Sequence, residues 1–157
     1  MSDEQHLKGW NKQTPVFTTQ AAEGRHPDQQ VREFEPGMRG NCLYKDLGIA
    51  EATGGQFRVH IIKWNPELRN KDKEAGVKQT TGMHRHDYDF QFNYVLSGWI
   101  DLVIEGIEGT LTFKAGDTYF LSHKILHNET RVSDDFSVLQ IYGPAEAGTE
   151  QLTPEID

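Results

Sequence analysis

From residue 42 to residue 142 the chain is written in short runs of β-forming residues cut by turn signals. Residues 42–44 (Cys-Leu-Tyr) read as a brief strand, Gly54-Gly55 as a turn, and residues 57–64 as a longer strand rich in aromatic and β-branched side chains that stops at Asn65-Pro66. Residues 90–96, 99–104, 110–113, 118–121 and 136–142 follow as further strands. Ser97-Gly98, Glu105-Gly106, Glu108-Gly109 and Ala115-Gly116-Asp117 separate them, and Gly143-Pro144 closes the last. Helical periodicity is almost absent. Many short strands with turn signals every few residues predict an all-β sandwich or barrel, without internal repeat or second domain.

The flanks have a different texture. Residues 1–36 are polar and turn-rich, with Gly9, Pro15, Gly24, Pro27 and Pro36 and no clear period. They predict a mostly irregular N-terminal arm anchored by Trp10, Val16 and Phe17, with one short helix near residues 27–34, where a proline precedes good helix formers. Residues 37–145 form the barrel domain, and residues 146–157 an acidic, loose tail. The charged stretch 68–78 reads as a solvated loop.

Composition narrows the function. The 157 residues are enough for one hydrophobic core, and the formal net charge of -8 disfavours a phosphate backbone as partner, so no nucleic acid is expected. No run approaches the ~18 consecutive apolar residues of a membrane span, so no membrane partner is expected. The N-terminus lacks the pattern of a signal peptide, and the one cysteine, Cys42, has no partner for an internal disulfide. A cytoplasmic protein is the default expectation.

The candidate chemistry lies in the histidines. In His84-Arg85-His86 two imidazoles stand at i and i+2, on one face of a strand and a few ångströms apart, as two neighbouring metal ligands must be. Gln91 has the opposite parity, so residues 87–89 must contain a turn or bulge if it is to face the same way. His127 comes after further strands, at a distance that only closure of a barrel would cancel.

In this order the residues resemble the cupin family. His84-Arg85-His86, four residues, Gln91, six residues, Gly98 is similar to its first motif, and Gly116-Asp117 leading to His127 eleven residues beyond Gly116 is similar to its second. The resemblance covers residues 77–142. It implies a single jelly-roll-like cupin barrel that holds one divalent transition metal ion (Fe, Mn, Ni, Co or Zn) with His84, His86, Gln91 and His127, or with the three histidines alone and Gln91 just behind them. Gln91 stands where the family has an acidic ligand, and Ser122, Lys124 and Arg131 replace the usual Pro, Gly and Asn of the second motif. A neutral amide beside three neutral imidazoles leaves the full charge on the ion, a stronger Lewis acid more weakly held.

Parity adds candidates on the cavity wall. Arg58, His60 and Ile62 share one strand face, and Asn93 and Val95 share the face of Gln91. His60 is the candidate for acid–base work, and Arg58 and Asn93 for substrate binding. Tyr94, Trp99 and Tyr119 read as packing aromatics. The expected function is a metal-dependent enzyme acting on a small oxygenated molecule, either a dioxygenase or a Lewis-acid isomerase or lyase. The alternative is a non-catalytic metal- or small-molecule-binding module. A homodimer is expected, because small cupins commonly pair through edge strands or exchanged arms and an unpaired sheet edge is a liability.

Overall fold

The computed structural model describes residues 19–20, 30–65 and 81–153. Its strands are β1 (Thr19–Gln20), β2 (Gln30–Val31), β3 (Glu35–Pro36), β4 (Cys42–Asp46), β5 (Arg58–Trp64), β6 (His84–His86), β7 (Phe90–Ser97), β8 (Trp99–Ile104), β9 (Leu111–Lys114), β10 (Thr118–Phe120), β11 (His127–Val132), β12 (Ser137–Gly143) and β13 (Thr149–Gln151). One short helix, α1 (Ile49–Ala52), interrupts them. Two antiparallel sheets face each other. One has six strands in the order β10-β7-β12-β5-β4-β3, the other five in the order β13-β6-β11-β8-β9. The all-β architecture predicted from the turn spacing is therefore present.

Three expectations are revised. In the described part of the segment expected to be helical, Gln30–Val31 is a strand paired in parallel with Thr19–Gln20. At the end of the arm, Glu35–Pro36 joins the six-stranded sheet against Leu43 and Tyr44. The tail is not loose through residue 151: Thr149, Glu150 and Gln151 pair with His86, Arg85 and His84. The arm anchors Trp10, Val16 and Phe17 and the charged loop 68–78 lie outside the described residues. Among the described residues no helix is long and apolar enough to cross a membrane.

The registers divide the interior along the strand axes. One inward row of the six-stranded sheet is Tyr44–Ile62–Val138–Val95, the next Asp46–His60–Gln140–Asn93, and the third Arg58–Tyr142–Gln91. Each strand therefore passes from apolar to polar along the same axis. The apolar half is the core of Cys42, Trp64, Val95, Ile100, Leu102, Phe136 and Val138, with Val95 and Leu102 wholly inaccessible. Burying side chains of this size stabilises by about 1.5–3 kcal/mol each, and that core carries a polar half unable to hold itself together.

Gly98 sets the β7–β8 hairpin. Its φ of 67° is in the left-handed region, and an added Cβ would stand 2.0 Å from Ser133 Oγ, so only glycine fits. The outer face of the six-stranded sheet is unusually apolar. Phe90, Tyr94, Leu96 and Phe120 are 39–54% exposed there, beside Leu139 and Ile141 of β12.

Candidate metal centre

The five-stranded sheet delivers the three histidines to one place. His84 and His86 project from β6, and β11 runs beside it with His127 opposite His84. The three imidazoles each offer one nitrogen, and these donors lie within 4.8 Å of one another. His84 and His127 are 1% exposed and His86 9%. Ring centroids are 4.2 Å apart for His84–His127, 4.9 Å for His84–His86 and 5.2 Å for His86–His127.

The outward nitrogens are all engaged. His84 Nδ1 donates to the Gly82 carbonyl at 2.8 Å, His127 Nδ1 to the Ile125 carbonyl at 3.0 Å, and His86 Nδ1 bonds Thr149 Oγ1 at 2.7 Å. A carbonyl can only accept, so His84 and His127 carry their protons on Nδ1 and present Nε2 as a bare lone pair. His127 Nε2 is buried without a hydrogen-bond partner. An orphaned buried acceptor is costly unless something unseen completes it, and imidazoles whose other nitrogen is tied outward are how proteins present ligands to a metal. Burial, the largest influence, lowers the pKa of His84 to about 4 and of His86 to about 3, so both are neutral and able to ligate near pH 7. These residues fit a divalent transition ion.

Gln91 is buried on the inward face of β7, in one row with Tyr142 and Arg58. The parity problem is solved by a change of sheet: β6 belongs to the five-stranded sheet and β7 to the six-stranded one, so residues 87–89 cross between them. Gln91 thus faces the histidines' sheet from across the barrel.

Sequence reasoning missed Glu129. It follows His127 at i+2 on β11, the same spacing that made His84 and His86 conspicuous. Its carboxylate oxygens lie 3.7 Å from His84 Nε2 and 3.8 Å from His127 Nε2. The Thr81 hydroxyl donates to Glu129 Oε2, and the Glu129 amide donates to Thr81 Oγ1 at 3.0 Å. Burial alone would raise the carboxyl pKa. The charges that His127 and His84 would carry if protonated, the Thr81 bond and the Arg39 guanidinium outweigh it and hold the pKa at about 2.

The site opens into a cavity of about 800 Å³ between the sheets. A row of rings crosses its wall: His86 stacks on Tyr88 at 4.6 Å, Tyr88 on Tyr142 at 4.1 Å, and Tyr142 meets His60 edge-on at 5.4 Å. Neither Tyr88 nor Tyr142 was singled out from sequence. Tyr119 packs against Phe113 in the core, as expected of a filling aromatic.

His60 and Arg58 both line the cavity. His60 Nε2 is 2.6 Å from Gln140 Oε1, the Gln140 amide nitrogen donates to Asn93 Oδ1 at 3.1 Å, and the Asn93 amide donates to the Tyr119 carbonyl at 3.5 Å. The direction of that chain makes His60 Nε2 the donor and leaves Nδ1 as the ring's acceptor. Burial lowers the His60 pKa, opposed by the Gln140 bond. Arg58 is tied to Asp46 at 2.5 Å and Glu146 at 3.3 Å. Asn93 is fully buried and reaches the cavity only through Gln140.

No family model matches the chain. The pectin degradation protein KdgF of Dickeya dadantii (strain 3937) is 26% identical over 97 residues, which are 62% of this chain and 86% of that protein. Among solved structures, the polyketide cyclase RemF of Streptomyces resistomycificus superposes with a TM-score of 0.60 at 16% identity, over 78% of this chain and 80% of that one. KdgF of Halomonas sp. does so with 0.52 at 16% identity, over 71% and 87%. A variant of the oxalate decarboxylase OxdC of Bacillus subtilis gives 0.55 at 14% identity, over 75% of this chain but 30% of that longer one. At these identities the superpositions speak for the fold. With the two facing antiparallel sheets and the histidine triad, they show that the chain is a cupin-fold protein.

Proposed function

We propose that this protein is a metal-dependent enzyme that acts on a small, oxygen-rich organic molecule by Lewis-acid isomerase or lyase chemistry. The observation that carries the reading is the convergence of three buried imidazoles, tautomers set from outside, beside a cavity large enough for a small substrate. His84, His86 and His127 hold the ion, with Gln91 as a further donor from the facing sheet. A bound divalent ion would supply polarisation of a carbonyl or enolate oxygen. The similarity to a pectin degradation protein supports a sugar-derived or hydroxy-acid substrate over dioxygenase chemistry.

The chain's own groups do the rest. The Tyr88 and Tyr142 rings form a flat wall beside His86. His60 handles a proton at Nδ1, its ring held by Gln140 and, one step behind, by Asn93. Arg58 orients acidic substrate groups while Asp46 and Glu146 hold it in place. A panel of enols, diketones, hydroxy acids, pectin-derived sugar acids and oxalate, offered to the Mn, Fe, Ni and Zn forms, tests the reading. Turnover that requires metal and falls at least tenfold in His60→Gln is the expected result. Binding without turnover across the panel would make the barrel a binding module instead.

The protein also pairs with a second copy. A chain of net charge -8 repels its own copies except across an uncharged surface, and the outer sheet face bearing Phe90, Tyr94, Leu96 and Phe120 is such a surface. Apolar patches of this kind mark interaction sites. Light scattering should give a dimer mass for wild type and a monomer mass for Phe120→Asp; a monomeric wild type would refute the pairing.

A further inference from the structure

Glu129 faces two histidines in a way that neither a hydrogen bond nor an ion pair explains. With their Nδ1 protons spent on the Gly82 and Ile125 carbonyls, His84 and His127 present lone pairs at Nε2. The Glu129 carboxylate presents its oxygens toward the same two atoms at 3.7 and 3.8 Å. Three groups with acceptor lone pairs therefore meet in a buried place, and neither imidazole offers a proton to the carboxylate. The Thr81 hydroxyl and the Arg39 charge steady the carboxylate, but the two imidazole lone pairs still face it, an arrangement that a bound cation would relieve.

We infer that Glu129 is a direct ligand of the metal ion and supplies the anionic donor that Gln91 cannot. This rests on the metal-dependent reading above. Ligand bonds of about 2.1 Å place neighbouring donors roughly 3.0–3.5 Å apart, so the carboxylate is within about 1 Å of that spacing from His84 and His127, while it lies outside the 4.8 Å cluster of the three imidazole donors and must move toward His86 to join it. Thr81 braces it for that position. The hydroxyl bonds Oε2, and the Thr81 amide donates to the Glu129 carbonyl at 3.0 Å, fixing side chain and backbone together. Carboxylates that ligate metals are themselves hydrogen-bonded in this way.

The charge balance of the site changes accordingly. Three neutral imidazoles and a carboxylate leave one net positive charge on a divalent ion, so the site binds more tightly and polarises less than a fully neutral set would. The substitution of amide for acid at Gln91 is then compensated from another strand.

The test titrates cobalt(II) into metal-stripped wild type, Glu129→Gln, Glu129→Asp and Gln91→Ala, reading affinity by calorimetry and coordination by the visible ligand-field bands. Thermal melting of the stripped proteins checks that each variant folds. Wild type should bind one equivalent. Glu129→Gln should lose about tenfold or more in affinity, the scale on which metal sites respond to altered donors, and its bands should shift. Glu129→Asp, which keeps the charge but withdraws the oxygens, should also shift the bands. Unchanged bands in both Glu129 variants, with or without weaker binding, would overturn ligation and leave the carboxylate acting only through its field. A wild type that takes up no cobalt would instead remove the metal reading itself.

Discussion

Purified wild-type protein should carry about one equivalent of a transition metal, and His84→Ala and His127→Ala should carry none. Both side chains are almost completely buried and aim Nε2 at the same point, so neither loss can be made good by a neighbour or by water. Elemental analysis without added metal decides it, and the element found narrows the chemistry. Wild-type protein that stays empty after reconstitution would refute the site. The binding should also have an unusual pH profile. Protons compete with a metal only where the free imidazoles titrate, and burial holds His84 and His86 neutral down to about pH 4 and 3. His84 and His86 should therefore add no pH dependence to the affinity from pH 7 to about 5, whereas exposed histidines in their places would weaken it below their ordinary pKa of about 6.5. The metal-free fold should behave in the opposite sense. The unfolded chain takes up protons on these histidines from about pH 6.5 downward while the folded one does not, so stability is complete above that pH and falls on acidification. Glu129, depressed to about 2, adds a further loss as pH falls below its unfolded value of about 4.5. An affinity that fell between pH 7 and 6 with the slope of two or more protons would contradict a neutral His84 and His86.

Thr149→Val should weaken metal binding by about 10- to 100-fold, although residue 149 is in the tail and touches no ion. Its hydroxyl is the partner of His86 Nδ1 at 2.7 Å. Valine keeps the shape but leaves His86 free to rotate or to change tautomer. Ending the chain before Thr149 should cost more, because β6 is three residues long and β13 pairs with all three, whereas β11 meets it at His84 alone. Chelator competition measures both. Affinity within about threefold of wild type in the truncated protein would show that β6 holds its histidines without the tail.

Much of this was legible in the residues because apolar strands announce themselves. The strand predicted at 99–104 is β8 residue for residue, and those at 90–96 and 136–142 miss by a residue at one or both ends. What failed to show was the polar wall. β11 reads His-Asn-Glu-Thr-Arg-Val and β13 Thr-Glu-Gln, sequences without the alternation that marks a strand, because their inward residues serve the site instead of the core. With β11 unrecognised as a strand, the i+2 relation between His127 and Glu129 carried no meaning. The acids that hold Arg58, Asp46 and Glu146, did not show either, because only the folded sheet brings them beside it. Tyr88 lies outside any strand, and only the closed barrel brings its ring between His86 and Tyr142.

The pairing of β13 with β6 also orders events during synthesis. Every other strand of the two sheets has left the ribosome before residues 149–151 do, and the apolar half of the barrel can close around Val95, Leu102 and Val138 without them. His86 acquires the partner of its Nδ1 only when Thr149 arrives. An ion that depends on His86 in that orientation would find its site complete only after Thr149 is in place, when the rest of the barrel can already have closed.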